Sequence, residues 1–523
     1  MIRLGFARKC PWLLALIAVA AWGRTASAED APKETPESPP PAEAASPQPE
    51  EHPREQAWAH KMDRPKSGAE AAATSNAAEK TPVLQPGDEP AGFHFGSYGR
   101  MRAATDLRGG GPQTANFVAH GSRLELAPYL ELELRRTDYV DDVRVRVIST
   151  VAMAGDPFHY TGRFETTTAV RNMFVDVRGI GSPGLTLWAG ARMYRGDDAY
   201  LLDFWPLDNL NTVGGGAIFD ATNSTRIALH AGANRLLDGQ FQYQEQALPS
   251  RSHFGSDTAV TLDRPRTIAS AKITQYFPNN REAKGAKITL YGEAHYLPSG
   301  EFNPSASNTV VPAVQLPSDT GFVIGAQGTA FGFGDRDGHV HLWARYARGL
   351  AAYGDLAVPF GLDRERRSSK ASEFLLATSG NYEAGPFGAM LAAYVRNFRD
   401  ASSAQYSRNQ YWEGIFAVRP IVYTSKHTGL GGEVSYQYKS VNVLNDDGTH
   451  TTPQAWRFSV LPLLTPYGWG SFRRPIIHAV YTATMRNRAA QEYYPADDPR
   501  ASRAVEHYFG LHAEWWFNSS SYP

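Results

Sequence analysis

Leu187–Asp208 reads LWAGARMYRGDDAYLLDFWPLD. The stretch opens with strand periodicity: Leu187, Ala189, Ala191 and Met193 fall on one face, and Trp188, Arg192 and Tyr194 on the other. Arg195-Gly196-Asp197-Asp198 turns the chain, and the residues beyond mix aromatics with acids in a pattern that is neither a clean strand nor a clean helix. One apolar face and one basic, aromatic face suit a wall between lipid and water. A charged aromatic loop leaving that wall suits a constriction in a pore.

The same period-two pattern runs from Phe93 to Phe517. Leu130, Leu132 and Leu134 alternate with Glu131, Glu133 and Arg135, and Val143, Val145 and Val147 with Arg144 and Arg146. Ile288 and Leu290 alternate with Lys287, Thr289 and Tyr291, and Val434, Tyr436 and Tyr438 with Glu433, Ser435, Gln437 and Lys439. A soluble sandwich turns its apolar face inward, whereas an outer-membrane barrel turns it to lipid, and periodicity alone fits both. Length favours the barrel, because a strand pattern this long exceeds the usual single sandwich. The last strand, YFGLHAEWWF at Tyr508–Phe517, collects Phe509, Leu511, Ala513, Trp515 and Phe517 on one face and ends on an aromatic. At about 24 residues per strand and connection the region holds sixteen to eighteen strands. Phe277–Asn280 and Asn445–Gly448 read as short turns, and Glu301–Asp319 and Arg486–Arg503 as long external loops.

The amino terminus adds a compartment. Arg3, Arg8 and Lys9 precede an apolar core from Trp12 to Trp22 and an Ala26-Ser27-Ala28 cleavage site, so residues 1–28 read as an export signal. Cys10, the single cysteine, precedes that core and leaves with it, which excludes disulfide and thiolate-metal chemistry in the mature chain. Residues 29–92 are dense in Pro, Ala and Glu with few large apolar side chains, the composition of a disordered periplasmic segment. No later segment reaches the ~18 consecutive apolar residues of a spanning helix, and lipid otherwise admits only closed barrels. Removing the signal's four basic residues takes Lys+Arg from 52 to 48 against 53 acids, a net −5 that gives no support for a nucleic-acid partner. Residues 518–523 form a short polar tail after the terminal aromatic.

The central stretch, with its Trp-Ala-Gly-x-Arg-x-Tyr opening and Asp-Phe-aromatic centre, resembles the strand and inward loop of the sugar-specific porins, the maltoporin family. The opening Gly96-Ser97-Tyr98-Gly99-Arg100 and the late Phe472-Arg473-Arg474-Pro475 are similar to the family's first strand and its aromatic-x-Arg-Pro strand. The resemblance implies an all-β transmembrane barrel of about eighteen strands, forming a homotrimer in the bacterial outer membrane and conducting maltodextrin-like oligosaccharides by passive diffusion. It implies an aromatic slide that includes Tyr98, Tyr129, Trp205 and Trp516. Beside it runs a polar track of Arg100, Arg123, Glu131, Arg171, Arg192, Arg195, Asp198 and Asp203. Phe158, Phe164 and Trp469 are candidates for the slide positions left over. Gly196 stands where the family places an arginine, and Trp205 where it places a tyrosine.

Such an arrangement has a physical rationale. A sugar offers an apolar face of C–H groups to aromatic rings and a rim of hydroxyls to arginines and carboxylates. Conduction requires many sites, each weak enough to leave. A general porin for small polar solutes is the alternative on the same fold. An outer-membrane enzyme or an adhesin barrel is the alternative from other classes, although no Gly-x-Ser-x-Gly, phosphate loop or His-Glu-x-x-His is present. His339 and His341 share a strand face but have no third ligand nearby, so neither a metal nor any cofactor is expected.

Overall fold

The computed structural model describes residues 89–519 apart from 113, 235–241, 252–254, 264, 279–283, 303–313, 337, 357–358, 404–408, 446 and 495–497. The export signal, nearly all of the Pro-rich segment and the end of the polar tail lie outside the described residues.

Among the described residues, twenty-two strands follow one another: β1 Gly92–Thr105, β2 Tyr129–Val140, β3 Val143–Ala154, β4 Thr167–Arg178, β5 Leu185–Arg195, β6 Asn209–Asp220, β7 Thr225–Asn234, β8 Gln242–Arg251, β9 Gly255–Asp263, β10 Arg266–Phe277 and β11 Gly285–Leu297. They continue as β12 Gly300–Phe302, β13 Val314–Leu316, β14 Asp319–Phe333, β15 Gly338–Gly349, β16 Ser372–Ala384, β17 Phe387–Arg399, β18 Gln410–Tyr423, β19 Thr428–Val441, β20 Gln454–Leu464, β21 Ile476–Arg486 and β22 Val505–Phe517. Two hairpins, β8–β9 and β12–β13, pair only within themselves. The other strands form one antiparallel sheet of 18, and β1 closes it by pairing with both β2 and β22. Tyr98 sits opposite Glu131 on one side of β1 and opposite Trp516 on the other.

Closure removes the sheet edges, which is what a bilayer demands of strands. Side-chain direction distinguishes a membrane barrel from a sandwich. On β2 Leu134 is 61% exposed while Glu131 and Glu133 are buried inside, and on β11 Ile288 and Leu290 are exposed while Thr289 and Tyr291 are buried. Glu433, Ser435, Gln437 and Lys439 of β19 all point inward and are buried. The polar face is therefore the inner one. In β22, Phe509, Leu511 and Phe517 look outward, and Tyr508, His512 and Glu514 look inward.

Connections at one end are short, such as 141–142 and 385–386, and at the other end long, such as 106–128 and 350–371. The turn at Asn445–Gly448, expected among the short connections, instead forms the tip of 442–453 at the long-loop end, where Gly448 N–H closes on the Asn445 carbonyl. The main apolar core lies inside the barrel. Leu201, Leu202, Phe204 and Leu207, from the connection between β5 and β6, pack with the inward-facing Trp343, Leu375, Tyr394 and Ile415.

Candidate functional site: the lumen and its constricting loop

The segment 196–208 leaves β5, crosses the lumen and returns as β6. Tyr200–Leu202 forms one 3-10 turn, Asp203 adopts left-handed backbone at φ 49, and Ala199 bridges Phe204. Aspartate tolerates that conformation better than most residues. A Cβ at Gly196 would lie 2.2 Å from the Asp208 Oδ1, so a side chain at this position requires the Asp208 carboxylate to move aside. Asp208 is in turn held by Lys272 of β10.

A second inward connection, 106–128, meets the first. His120 stacks on Phe204 with ring centroids 3.7 Å apart, and its backbone N–H donates to the Tyr394 hydroxyl. Phe117 N–H donates to Gln437, Ser122 donates to Glu433, and Glu125 pairs with Arg457. Arg123 joins both connections to the wall: it donates to Glu514 at 2.6 Å, to the Tyr98 hydroxyl at 2.8 Å and to the Tyr200 carbonyl at 3.3 Å, and lies 4.0 Å from the Tyr200 ring centroid. Glu514 also accepts from the Tyr200 hydroxyl and from Arg474 Nε at 2.8 Å. This hub is buried, so its charges are stabilised by one another and not by water.

Most of the expected site residues gather beside this hub. Arg100 pairs with Asp203 at 3.1 Å and lies 5.3 Å from the Tyr129 ring. Tyr129 donates its hydroxyl to Glu131 and has Arg171 6.0 Å from its ring. Arg195 stacks at 4.0 Å on Trp205, and Arg474 at 4.2 Å on Trp516, with the Tyr200 ring edge-on to Trp516 at 6.1 Å. Arg171 owes its position to a β-bulge: Thr150 pairs with Asn172 and Val151 with Val170, so Arg171 has no cross-strand partner and turns toward Tyr129. Its Nε reaches the Met193 sulfur.

Four positions differ from expectation. Tyr98 is only 1% exposed, sealed by Arg123 and Arg100, so its ring braces Tyr129 from 5.9 Å and does not line a path. Arg123 and Glu131 are buried as well; the first pins the loops and the second anchors Tyr129. Arg192 stands apart, nested over Phe174, Trp188 and Tyr194 at 4.7, 5.0 and 5.6 Å. Of the spare slide candidates, Phe158 and Phe164 stack on each other at 4.1 Å in connection 155–166 and line one cavity with Arg100 and Tyr129, whereas Trp469 stacks on Tyr423 at the short-turn end. Conversely, Tyr200 and Glu514 escaped the sequence reading, and Arg474 entered it only as the arginine of the Phe472–Pro475 motif. Glu514 had a local signal, its shared parity with Trp516.

The loop acids differ in charge state. Although burial opposes it, Arg100 and Arg123 hold the Asp203 carboxyl below its usual range. Burial raises Asp198 to about 7, with Arg123 opposing the shift and Asp203 and Asp197 adding to it. Asp198 Oδ2 accepts no hydrogen bond among the described residues. Asp197, by contrast, pairs with Lys287 at 2.6 Å. Among the described residues no cluster of three His, Cys, Asp or Glu side chains could hold a metal ion.

Solved structures similar to the chain include the outer membrane channel DcaP of Acinetobacter baumannii, with 13% identity, a TM-score of 0.43 and 82% of this chain and 98% of that one covered. Pseudomonas aeruginosa OpdK with vanillate gives 12% identity, a TM-score of 0.39 and coverage of 81% and 98%. OmpT of Vibrio cholerae in its trimer form gives 11%, 0.34, and 82% and 100%. No curated protein sequence matches. The sequence profile of the LamB porin family matches residues 93–517, the span of the barrel. With its closed barrel of 18 antiparallel strands, lipid-facing outer wall and inward loop, the chain belongs to the LamB porin family, and it is an outer-membrane transport channel.

Proposed function

We propose that the channel passes oligosaccharides of the maltodextrin kind by passive, facilitated diffusion. The observation that supports this reading is the pairing of ring and arginine beside the constricting loop: Tyr129 with Arg100 and Arg171, Trp205 with Arg195, Trp516 with Arg474. A hydrated ion gains nothing from such rings, whereas a sugar lays its C–H face on a ring and its hydroxyls on the neighbouring arginines and Asp203. We further propose a homotrimer, cleavage of the signal after Ala28, and a periplasmic location for residues 29–92. The test is block of single-channel current by a panel of oligosaccharides at millimolar concentration.

A general porin that prefers small anions is the second reading. Its support is that Arg171 and Arg192 have no carboxylate partner among the described residues; Arg171 reaches a sulfur and Arg192 three rings. Current without sugar block, and a reversal potential favouring anions, select this second reading.

A further inference from the structure

On the outer wall, at the long-loop end of β14 to β18, cations and rings are sorted into separate rows. Cross-strand register puts Phe322, Arg348, Ser372, Arg399 and Gln410 on one line across these five strands. Two residues further down each strand, Tyr346, Phe374, Asn397 and Trp412 form the next line. The side chains look outward: Arg348 and Arg399 are exposed, as are Phe374 and Trp412. Lower still, Ile324, Leu342 and Leu376 are exposed apolar wall.

The connection from β15 to β16 adds Arg364, Arg367 and Lys370, all exposed. Asp363 folds this stretch by accepting the backbone N–H groups of Glu365 and Arg367, and Arg348 Nε donates to the Ser369 carbonyl, which ties the connection to the cationic row. Glu365 is the one exposed acid among the described residues of the connection, and it lies 3.9 Å from Arg367. The patch is therefore strongly positive. Rings above an apolar band mark the level of lipid headgroups, and a basic cluster beside that level attracts anionic headgroups. Arginine in particular offers a planar fork of donors that matches phosphate.

We propose that this face docks a glycolipid whose sugar headgroup carries two phosphates, bound by Arg348 and Arg399, with its acyl chains running down past Leu342 and Leu376. Longer loops are the extracellular ones in such barrels, so the cationic row meets the outer leaflet. Cation, ring and aliphatic side chain follow one another down the wall in the order phosphate, headgroup base and acyl chain of such a lipid. Spacing selects the headgroup. Arg348 and Arg399 stand on β15 and β17 with Ser372 of β16 between them, so their backbones are roughly 10 Å apart at about 4.8 Å per strand. Two phosphates separated by a sugar headgroup span that distance, and a single phosphodiester does not. The site lies outside the lumen and is independent of which solute the channel conducts.

Titration of the purified channel in detergent, read by native mass spectrometry, tests it. The probes are lipid A with both phosphates, lipid A with both removed, and phosphatidylglycerol. Intact lipid A should bind ten-fold or more tightly than either of the others. Arg348→Gln and Arg399→Gln should each weaken lipid A binding five-fold or more, while the heat-resistant barrel and the conductance in salt stay as in the wild type. Arg488→Gln, at an exposed arginine of connection 487–504, should leave binding unchanged. Equal binding of dephosphorylated lipid A or of phosphatidylglycerol overturns the two-phosphate assignment. An unchanged affinity in Arg348→Gln and Arg399→Gln, or an equal loss in Arg488→Gln, overturns the site. Displacement of lipid A by millimolar inorganic phosphate reveals a simple anion site and overturns the lipid docking.

Discussion

Arg100 and Asp203 meet at 3.1 Å, and that contact ties the first wall strand to the tip of the loop that crosses the lumen. Both side chains keep about a fifth of their surface exposed, so solvent screens the pair and it contributes at most about 1 kcal/mol. The neighbouring Arg123–Glu514 contact is buried on both sides, and removing one partner there costs about 3–5 kcal/mol. Asp203→Asn should therefore raise current noise modestly in an otherwise ordinary channel. Glu514→Ala frees Arg123, Arg474 and Tyr200 together and should give large conductance fluctuations. Equal noise in the two variants would show that Glu514 is not the hub of the loop.

The wall itself makes a separate prediction. Leu511 is 56% exposed on the outer face of β22, where lipid replaces water. Arginine at this position should cost about 2–4 kcal/mol near the bilayer midplane. Leu511→Arg is expected to reduce heat-resistant barrel and Leu511→Phe to leave it unchanged, as judged by electrophoretic mobility with and without heating. Unimpaired assembly of Leu511→Arg would contradict the outward assignment of Leu511.

These two results also mark how far the sequence could be read. The inside and outside of β2, β11, β19 and β22 were legible because period two survives along an unbroken strand. Whether the apolar face met lipid or a core was settled by side-chain direction in the closed sheet, where Leu134 and Leu290 face outward and Glu131 and Tyr291 inward. Arg171 was identified by resemblance alone, since parity with Asn172 and Phe174 says nothing of a bulge at Thr150 and Val151. Tyr98 misled because Arg123, which seals it together with Arg100, comes from a separate connection that only the fold brings over the first strand. His339 and His341 were legible as sharing one face of a strand, whereas the contact of His339 with Phe472 exists only through the closed barrel.

Charge state at the constriction supplies a pH prediction. Burial, with Asp203 and Asp197 adding and Arg123 opposing, raises Asp198 to about 7, so its carboxyl is neutral below that pH and ionised above. A raised carboxyl binds its proton more tightly folded than unfolded, so its contribution to stability declines as pH climbs from about 4 to about 7. Between pH 6 and 8 the pore gains one negative charge, and its preference for cations should increase. Asp198→Asn should abolish that change in reversal potential and leave the pH 6 value nearly as it was. A pH response that persists in Asp198→Asn assigns the titration to another group.

Removing the obstacle tests whether the loop sets the bore. Asp198–Leu207 can be replaced by a short Gly-Ser link without touching β5 or β6, which end at Arg195 and begin at Asn209. The loop's Leu201, Leu202, Phe204 and Leu207 then leave the lumen. Conductance should increase several-fold, and both ion selectivity and any sugar block should collapse. Unchanged conductance would mean that the passage runs clear of this loop.

Tyr98 and Tyr129 lie 5.9 Å apart and should behave in opposite ways. Tyr98 is buried, and its hydroxyl accepts from Arg123 at 2.8 Å and from Arg100 at 3.2 Å. Tyr98→Phe keeps the ring and removes those two acceptor contacts, so it should loosen the loop and add current noise without altering sugar affinity. Tyr129 is only partly buried, with arginines close to its ring. Tyr129→Ala removes a stacking surface worth about 1 kcal/mol, which is about a five-fold loss of affinity. Sugar block should weaken by that factor while conductance in salt alone barely changes. A double variant should show both effects independently, because the Tyr98 hydroxyl acts on the loop and the Tyr129 ring on the cargo. If Tyr98→Phe weakens sugar block as much as Tyr129→Ala does, the two tyrosines act as one site, and the buried ring must become accessible when cargo passes.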